Sequence, residues 1–127
     1  MAKTALVVDD SVFMRAQLAE MVSSIEEIST VYTAENGKEA ISKCNTFKPD
    51  VVTMDIDMPE LGGIDATKKI LSNNPQTIVI FVSAMERKRF SQDVEDAGGL
   101  GYIKKPFDKN EVIDAIKELI GSRINQL

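Results

Sequence analysis

The sequence predicts an α/β fold, a five-stranded parallel sheet doubly wound by five helices, and three observations carry that expectation. Five short apolar runs recur along the 127 residues, each followed by a stretch with the three-and-four spacing of a helix. The runs are nearly all apolar instead of alternating, as strands covered on both faces are. The four prolines lie beside the runs, Pro49 and Pro75 before and Pro59 and Pro106 after, and so mark loops. Right-handed crossovers then place helices on both sides of the sheet.

The first run, Ala5 to Val8, stops at Asp9-Asp10, a pair that either caps the next helix or serves chemistry. Met14, Leu18, Met21, Val22 and Ile25 give that helix one apolar face, and the methionines read as core packing. Ile28 to Thr33 forms the second strand, and Asn36 is the expected N-cap of a helix whose inner face holds Ala40, Ile41, Cys44 and Phe47. The third strand, Val51 to Met54, stops at Asp55, and Gly62-Gly63 is expected to loosen the loop beyond it. The fourth, Ile78 to Val82, stops at Ser83. Arg87-Lys88-Arg89 stands in a solvated loop or opens the fourth helix, which Gly98-Gly99 stops. The fifth strand, Tyr102 to Lys104, runs into Lys105-Pro106. Ile113, Ile116, Ile120, Ile124 and Leu127 line the last helix, with Gly121 as a point where it ends early.

Length and composition narrow the function classes. A chain of 127 residues, 43% apolar and 28% charged, fits one globular domain spanning 1–127. The apolar run before Asp9-Asp10 is only four residues long, too short for a signal-peptide core, and the longest apolar run, Ile78 to Val82, falls far short of a membrane span. The protein is therefore expected in the cytoplasm, with no membrane partner. A net charge of -5 argues against nucleic acid as a partner, although Arg87-Lys88-Arg89 suits an acidic protein surface. The chain has no histidine, which excludes a Ser-His-Asp hydrolase, a histidine-ligated zinc site and an internal phosphohistidine. Its single cysteine, Cys44, cannot form an internal disulfide and is expected to be inert packing.

In open parallel sheets, ligands bind beyond the carboxyl ends of the strands, where the strand order reverses. Asp9, Asp10, Asp55, Ser83 and Lys105 all fall at such ends. Three carboxylates within about 5 Å repel by roughly 3 kcal/mol per pair at an effective dielectric near 20, so the cluster calls for a cation. Oxygen ligands suit Mg2+, which commonly accompanies phosphate. The Asp55 carboxylate is placed to attack phosphorus and form an aspartyl phosphate. The Lys105 ammonium and the Ser83 hydroxyl are placed to hold phosphoryl oxygens, and no separate base is required.

These residues resemble the receiver domain of two-component response regulators, specifically the single-domain CheY-like chemotaxis type, over essentially the whole chain. The matching motifs are Val8-Asp9-Asp10, Met54-Asp55-Ile56-Asp57-Met58-Pro59 with Gly63, Val82-Ser83-Ala84, and Gly101-Tyr102-Ile103-Lys104-Lys105-Pro106-Phe107. The resemblance implies a flavodoxin-like sheet of strand order 2-1-3-4-5 and a phosphorylation-activated switch, not an enzyme acting on other molecules. It implies that Asp55 accepts the phosphoryl group and that Asp10 and Asp55 ligate Mg2+, with Asp9 assisting through water and Asp57 lending its main-chain carbonyl. Lys105 would pair with phosphorylated Asp55, ahead of a cis Lys105-Pro106 bond. Ser83 and Tyr102 would form the switch pair. The implied partners are a CheA-like histidine kinase, a motor switch protein or other downstream target, and a phosphatase, with the protein a monomer.

Alternative readings are a receiver cut from a DNA-binding regulator and a relay protein. Asp55-Ile56-Asp57 also matches the Asp-x-Asp of haloacid dehalogenase-type phosphatases. In that class, however, the paired acids come late, whereas Asp9-Asp10 come first. A flavodoxin-like flavin binder needs a hydroxyl-rich or glycine-rich phosphate loop where this chain has two repelling acids. An interaction module that is not phosphorylated would typically lack one of Asp10, Asp55 or Lys105.

Overall fold

A computed structural model describes residues 2–125. Five strands, β1 (Lys3–Val8), β2 (Ile28–Ala34), β3 (Val51–Met54), β4 (Ile78–Ser83) and β5 (Gly101–Lys104), form one sheet. They alternate with five helices, α1 (Val12–Ser23), α2 (Gly37–Phe47), α3 (Gly63–Asn73), α4 (Arg87–Ala97) and α5 (Lys109–Asn125). Every pairing is parallel, and the spatial order is β2-β1-β3-β4-β5.

The sheet is buried on both faces, which is why its strands carry no polar alternation. Ala5, Val7, Val51, Ile78, Ile80, Val82 and Ile103 pack on Leu18 and Val22 of α1 and on Val112, Ile116 and Ile120 of α5. The intervening residues Leu6, Val8, Val52, Met54, Val79 and Phe81 pack on Ala40 and Cys44 of α2, Ala66 and Ile70 of α3, and Val94 of α4. Burial pushes the Cys44 thiol up to about 12, so it stays a neutral packing group.

Asn36 caps α2 as expected, its side chain accepting from the Glu39 amide at 2.8 Å, and Gly98, at φ 94°, ends α4 in the left-handed conformation. Several expectations change. Ser11, not Asp9 or Asp10, caps α1, accepting from the Met14 amide at 3.2 Å. Ile25 is buried but lies beyond the end of α1. Phe47 is largely exposed and stacks on Tyr32, ring centroids 4.2 Å apart, instead of entering the core. Gly121 does not end α5, which continues to Asn125. Leu127 lies outside the described residues, as does the side chain of Ile124.

Register brings the chemistry to one level. Val8 pairs with Met54, Met54 with Phe81, and Phe81 with Tyr102, so the residues just past them share one edge. The chain runs outward from β1 to β2 and then returns to place β3 on β1's other side. The order therefore reverses between β1 and β3, where Asp9-Asp10 and Asp55 stand.

Candidate functional site

Asp9 follows β1 and is fully buried. Its carboxylate accepts from the Ser11 amide at 3.0 Å through Oδ1 and from Lys105 Nζ at 2.7 Å through Oδ2. Asp55 follows β3 and is 8% exposed. Its Oδ1 accepts from the Ile56 amide at 2.8 Å, and its Oδ2 lies 3.4 Å from Lys105 Nζ. Asp10 is exposed at the rim. One carboxylate oxygen each from Asp9, Asp10 and Asp55 lies within 4.8 Å of the others, a cluster able to hold a divalent cation. Lys105, carried by the residue after β5, is the ammonium shared between the two buried acids, and the Lys105-Pro106 bond is cis.

Charge balance at this rim is tight. Burial raises the Asp55 pKa above the usual carboxylate value and the nearby Asp9 charge adds to this, while Lys105 and the Ile56 amide pull down without winning. Burial acts to lower the Lys105 pKa, yet hydrogen bonds and attraction to Asp9 and Asp55 outweigh it and leave it above the ordinary lysine value. An acid whose folded pKa is raised favours the folded state below its ordinary pKa, and that advantage is lost as pH rises through the folded pKa. Asp55→Asn is therefore expected to raise the metal-free melting temperature at pH 7 by a few degrees. Calorimetry repeated down to about pH 4, near the ordinary aspartate value, should find the difference closing.

Ser83 ends β4 and is buried, its Oγ accepting from the Met85 amide at 3.2 Å. Tyr102 on β5 is half-buried, and its hydroxyl donates to the Met85 carbonyl at 2.5 Å. Burial raises the Tyr102 pKa, with the Ser83 hydroxyl beside it acting in the opposite sense. Met85 thus receives Tyr102 on its carbonyl and lends its amide to Ser83. Across the same loop, Glu86 pairs with Lys104 of β5.

Of the residues singled out in the sequence, Asp9, Asp10, Asp55 and Lys105 meet at one point, and Ser83 and Tyr102 meet at Met85. Asp57 is exposed and adds no carboxylate to the cluster; the expectation for it concerned its main-chain carbonyl. Arg87-Lys88-Arg89 opens α4. Gly62-Gly63 does not loosen its loop: Gly62 caps α3, and the Gly63 amide is tied to the Ile56 carbonyl at 2.9 Å. Two residues of the site had no motif to announce them. Arg15 donates from Nη1 to the Asp9 carbonyl at 2.8 Å, and Ser11 anchors the Asp9 carboxylate.

The family model of the response regulator receiver domain matches residues 5–117. The chain belongs to the response regulator receiver family. It is 39% identical to the chemotaxis protein CheY of Thermotoga maritima over 119 residues, 94% of this chain and 98% of that protein. It is also 42% identical, over 109 residues, to a protein-glutamate methylesterase/protein-glutamine glutaminase of Vibrio cholerae. That match covers 85% of this chain but 29% of the relative, so the receiver spans under a third of the methylesterase. Among solved structures, the response regulator domain of Thermotoga maritima CheB aligns at TM-score 0.82 and 35% identity over 98% of each chain. A chain of the CheX-CheY-BeF3-Mg2+ complex from Borrelia burgdorferi aligns at 0.86 and 32%, over 93% of this chain and 89% of that one. The fold expectation, strand order 2-1-3-4-5 with five helices, holds in full. Among the described residues, no helix is long and apolar enough to cross a membrane.

Proposed function

We propose that this receiver is a phosphorylation-activated switch in which Asp55 accepts a phosphoryl group from the phosphohistidine of a CheA-like histidine kinase. The observation that carries this reading is the buried Asp55 carboxylate, grouped with two further acids and held against a shared lysine at the strand-order reversal. A carboxylate oxygen forms the new bond to phosphorus as the phosphorus–nitrogen bond of the donor breaks, and the imidazole leaves. Asp10 and Asp55 would hold Mg2+, with Asp9 through water and the Asp57 carbonyl completing the set. Mg2+ supplies positive charge against the phosphoryl oxygens. Lys105 neutralises charge from the β5 side, and burial excludes water from the acceptor.

The switch runs through Met85. Phosphoryl oxygens on Asp55 draw the Ser83 hydroxyl toward them, which loosens its hold on the Met85 amide and shifts the carbonyl to which Tyr102 donates. A partner that prefers the resulting surface needs only a few kcal/mol of differential binding to set the populations. The similarity to a CheY over nearly the full length of both chains favours chemotaxis, with a motor switch protein as target and a phosphatase ending the signal. The switch acts as a cytoplasmic monomer that modifies only itself and contacts neither nucleic acid nor membrane. Attachment to a methylesterase, a DNA-binding output or a relay partner is the second reading, favoured by the partial coverage of the methylesterase relatives.

Intact-mass measurement after incubation with acetyl phosphate and MgCl2 tests the acceptor. Wild type is expected to gain one phosphoryl group, while Asp55→Asn, or wild type in EDTA, gains none. Equal labelling of Asp55→Asn would refute the assignment.

A further inference from the structure

Arg15 is held more tightly than a helix surface requires. It lies in α1 four residues after the cap Ser11, and the first turn carries no acid for it to pair with. Holding a long side chain at 14% exposure costs about 2 kcal/mol of rotamer freedom. A residue placed at such cost should be doing something local.

Its guanidinium turns back over the start of the helix, and Nη1 donates to the Asp9 carbonyl at 2.8 Å. That carbonyl belongs to the peptide unit joining Asp9 to Asp10, just past the last β1 residue, Val8. Nη2 lies 3.7 Å from Glu35, an exposed residue beyond the end of β2. Asp9 is thereby held at three points: its carbonyl by Arg15, Oδ1 by the Ser11 amide and Oδ2 by Lys105. Asp10 is exposed, so the orientation of the preceding peptide plane governs where its carboxylate points.

We propose that Arg15 is a positioning residue for divalent-cation binding, fixing the Asp9–Asp10 peptide so that both carboxylates face Asp55. The inference rests on the reading of the acid cluster as a Mg2+ site. Residues that orient metal ligands without touching the metal typically contribute tenfold or more to affinity.

The sign of the effect separates positioning from simple charge. By Coulomb's law, removing a cation beside a divalent site should tighten binding. Calorimetric titration of MgCl2 into wild type, Arg15→Met and Arg15→Lys chains, each checked for cooperative unfolding in EDTA, decides between them. Arg15→Met is expected to bind Mg2+ about tenfold more weakly than wild type, and Arg15→Lys, which keeps the charge but not the planar fork, falls between. Unchanged or tighter binding by folded Arg15→Met overturns the proposal, as does a lowered melting temperature with unaltered affinity. If Arg15→Met does not fold, wild-type affinity in Arg15→Lys overturns it instead. Wild type that takes up no Mg2+, and behaves like Asp55→Asn, would refute the Mg2+ site itself and this inference with it.

Discussion

Replacing Lys105 by alanine is expected to destabilise the metal-free protein by about 3 kcal/mol at pH 7, measured by urea unfolding. Two carboxylates, one fully buried and one 8% exposed, share its ammonium, and no second lysine or arginine pairs with either carboxylate among the described residues. Removing the ammonium leaves both acids without a counterion, which costs far more than losing a surface ion pair. The pH dependence follows from the direction of each shift. Because the Lys105 pKa is raised in the folded state, its contribution is fully present below the ordinary lysine value of about 10.4 and is lost as pH rises through the folded pKa. At the acid end the gap between wild type and variant narrows as Asp55 takes its proton, which burial moves above the ordinary carboxylate range. Saturating Mg2+ should restore much of the stability at pH 7, since it replaces the missing positive charge. A variant as stable as wild type in EDTA would show that the acids are relieved in some other way.

The second large effect concerns a residue with no side chain. A Cβ on Gly63 would stand 1.9 Å from the Asp55 carbonyl oxygen, 2.8 Å from the Asp55 carbonyl carbon and 2.9 Å from Met54 Cγ. The first two are backbone of the segment that carries the acceptor, so the clash cannot be relieved by a rotamer change. Gly63→Ala must lift α3 off the end of β3 or twist Asp55, at a cost of about 3 kcal/mol. Loss of Mg2+-dependent labelling by acetyl phosphate should accompany the loss of stability. Gly121→Ala provides the contrast. Among the described residues nothing lies within 4 Å of a Cβ there, and the position is inside α5, so alanine should stabilise by up to about 1 kcal/mol through helix propensity alone. If the two variants unfold at the same urea concentration, the close approach at Gly63 is not what the geometry indicates.

Much of the architecture was legible because the same force wrote it at every level. Strands buried on both faces have to be apolar throughout, so β1, β3 and β4 stand out and end where charge begins. Convergence of Asp9, Asp10, Asp55 and Lys105 was legible for a related reason: only chemistry justifies acids and a lysine at the ends of buried strands. The errors came where the local pattern is ambiguous. Phe47 has helical spacing with Cys44, but at the end of α2 it stacks on Tyr32 of the edge strand instead of turning inward. Gly121 looks like a stop because glycine weakens helices, yet the apolar contacts of Ile116 and Ile120 carry α5 through it. Gly62-Gly63 looks like slack, whereas what needs glycine at Gly63 is a backbone passing close in space and eight residues earlier in sequence. Arg15 was illegible for a different cause. A lone arginine on a helix announces nothing until the chain's fold shows which carbonyl it reaches.

The wide spacing of the rim residues bears on how the protein is made. Lys105 lies 96 residues after Asp9 and 50 after Asp55, so a growing polypeptide emerges from the ribosome with its acids long before their counterion. Four strands can be synthesised and begin to associate while the acidic edge still lacks the ammonium that β5 delivers. Competence to receive a phosphoryl group therefore waits on the last strand of the receiver, and a product released before β5 would be both unstable and silent.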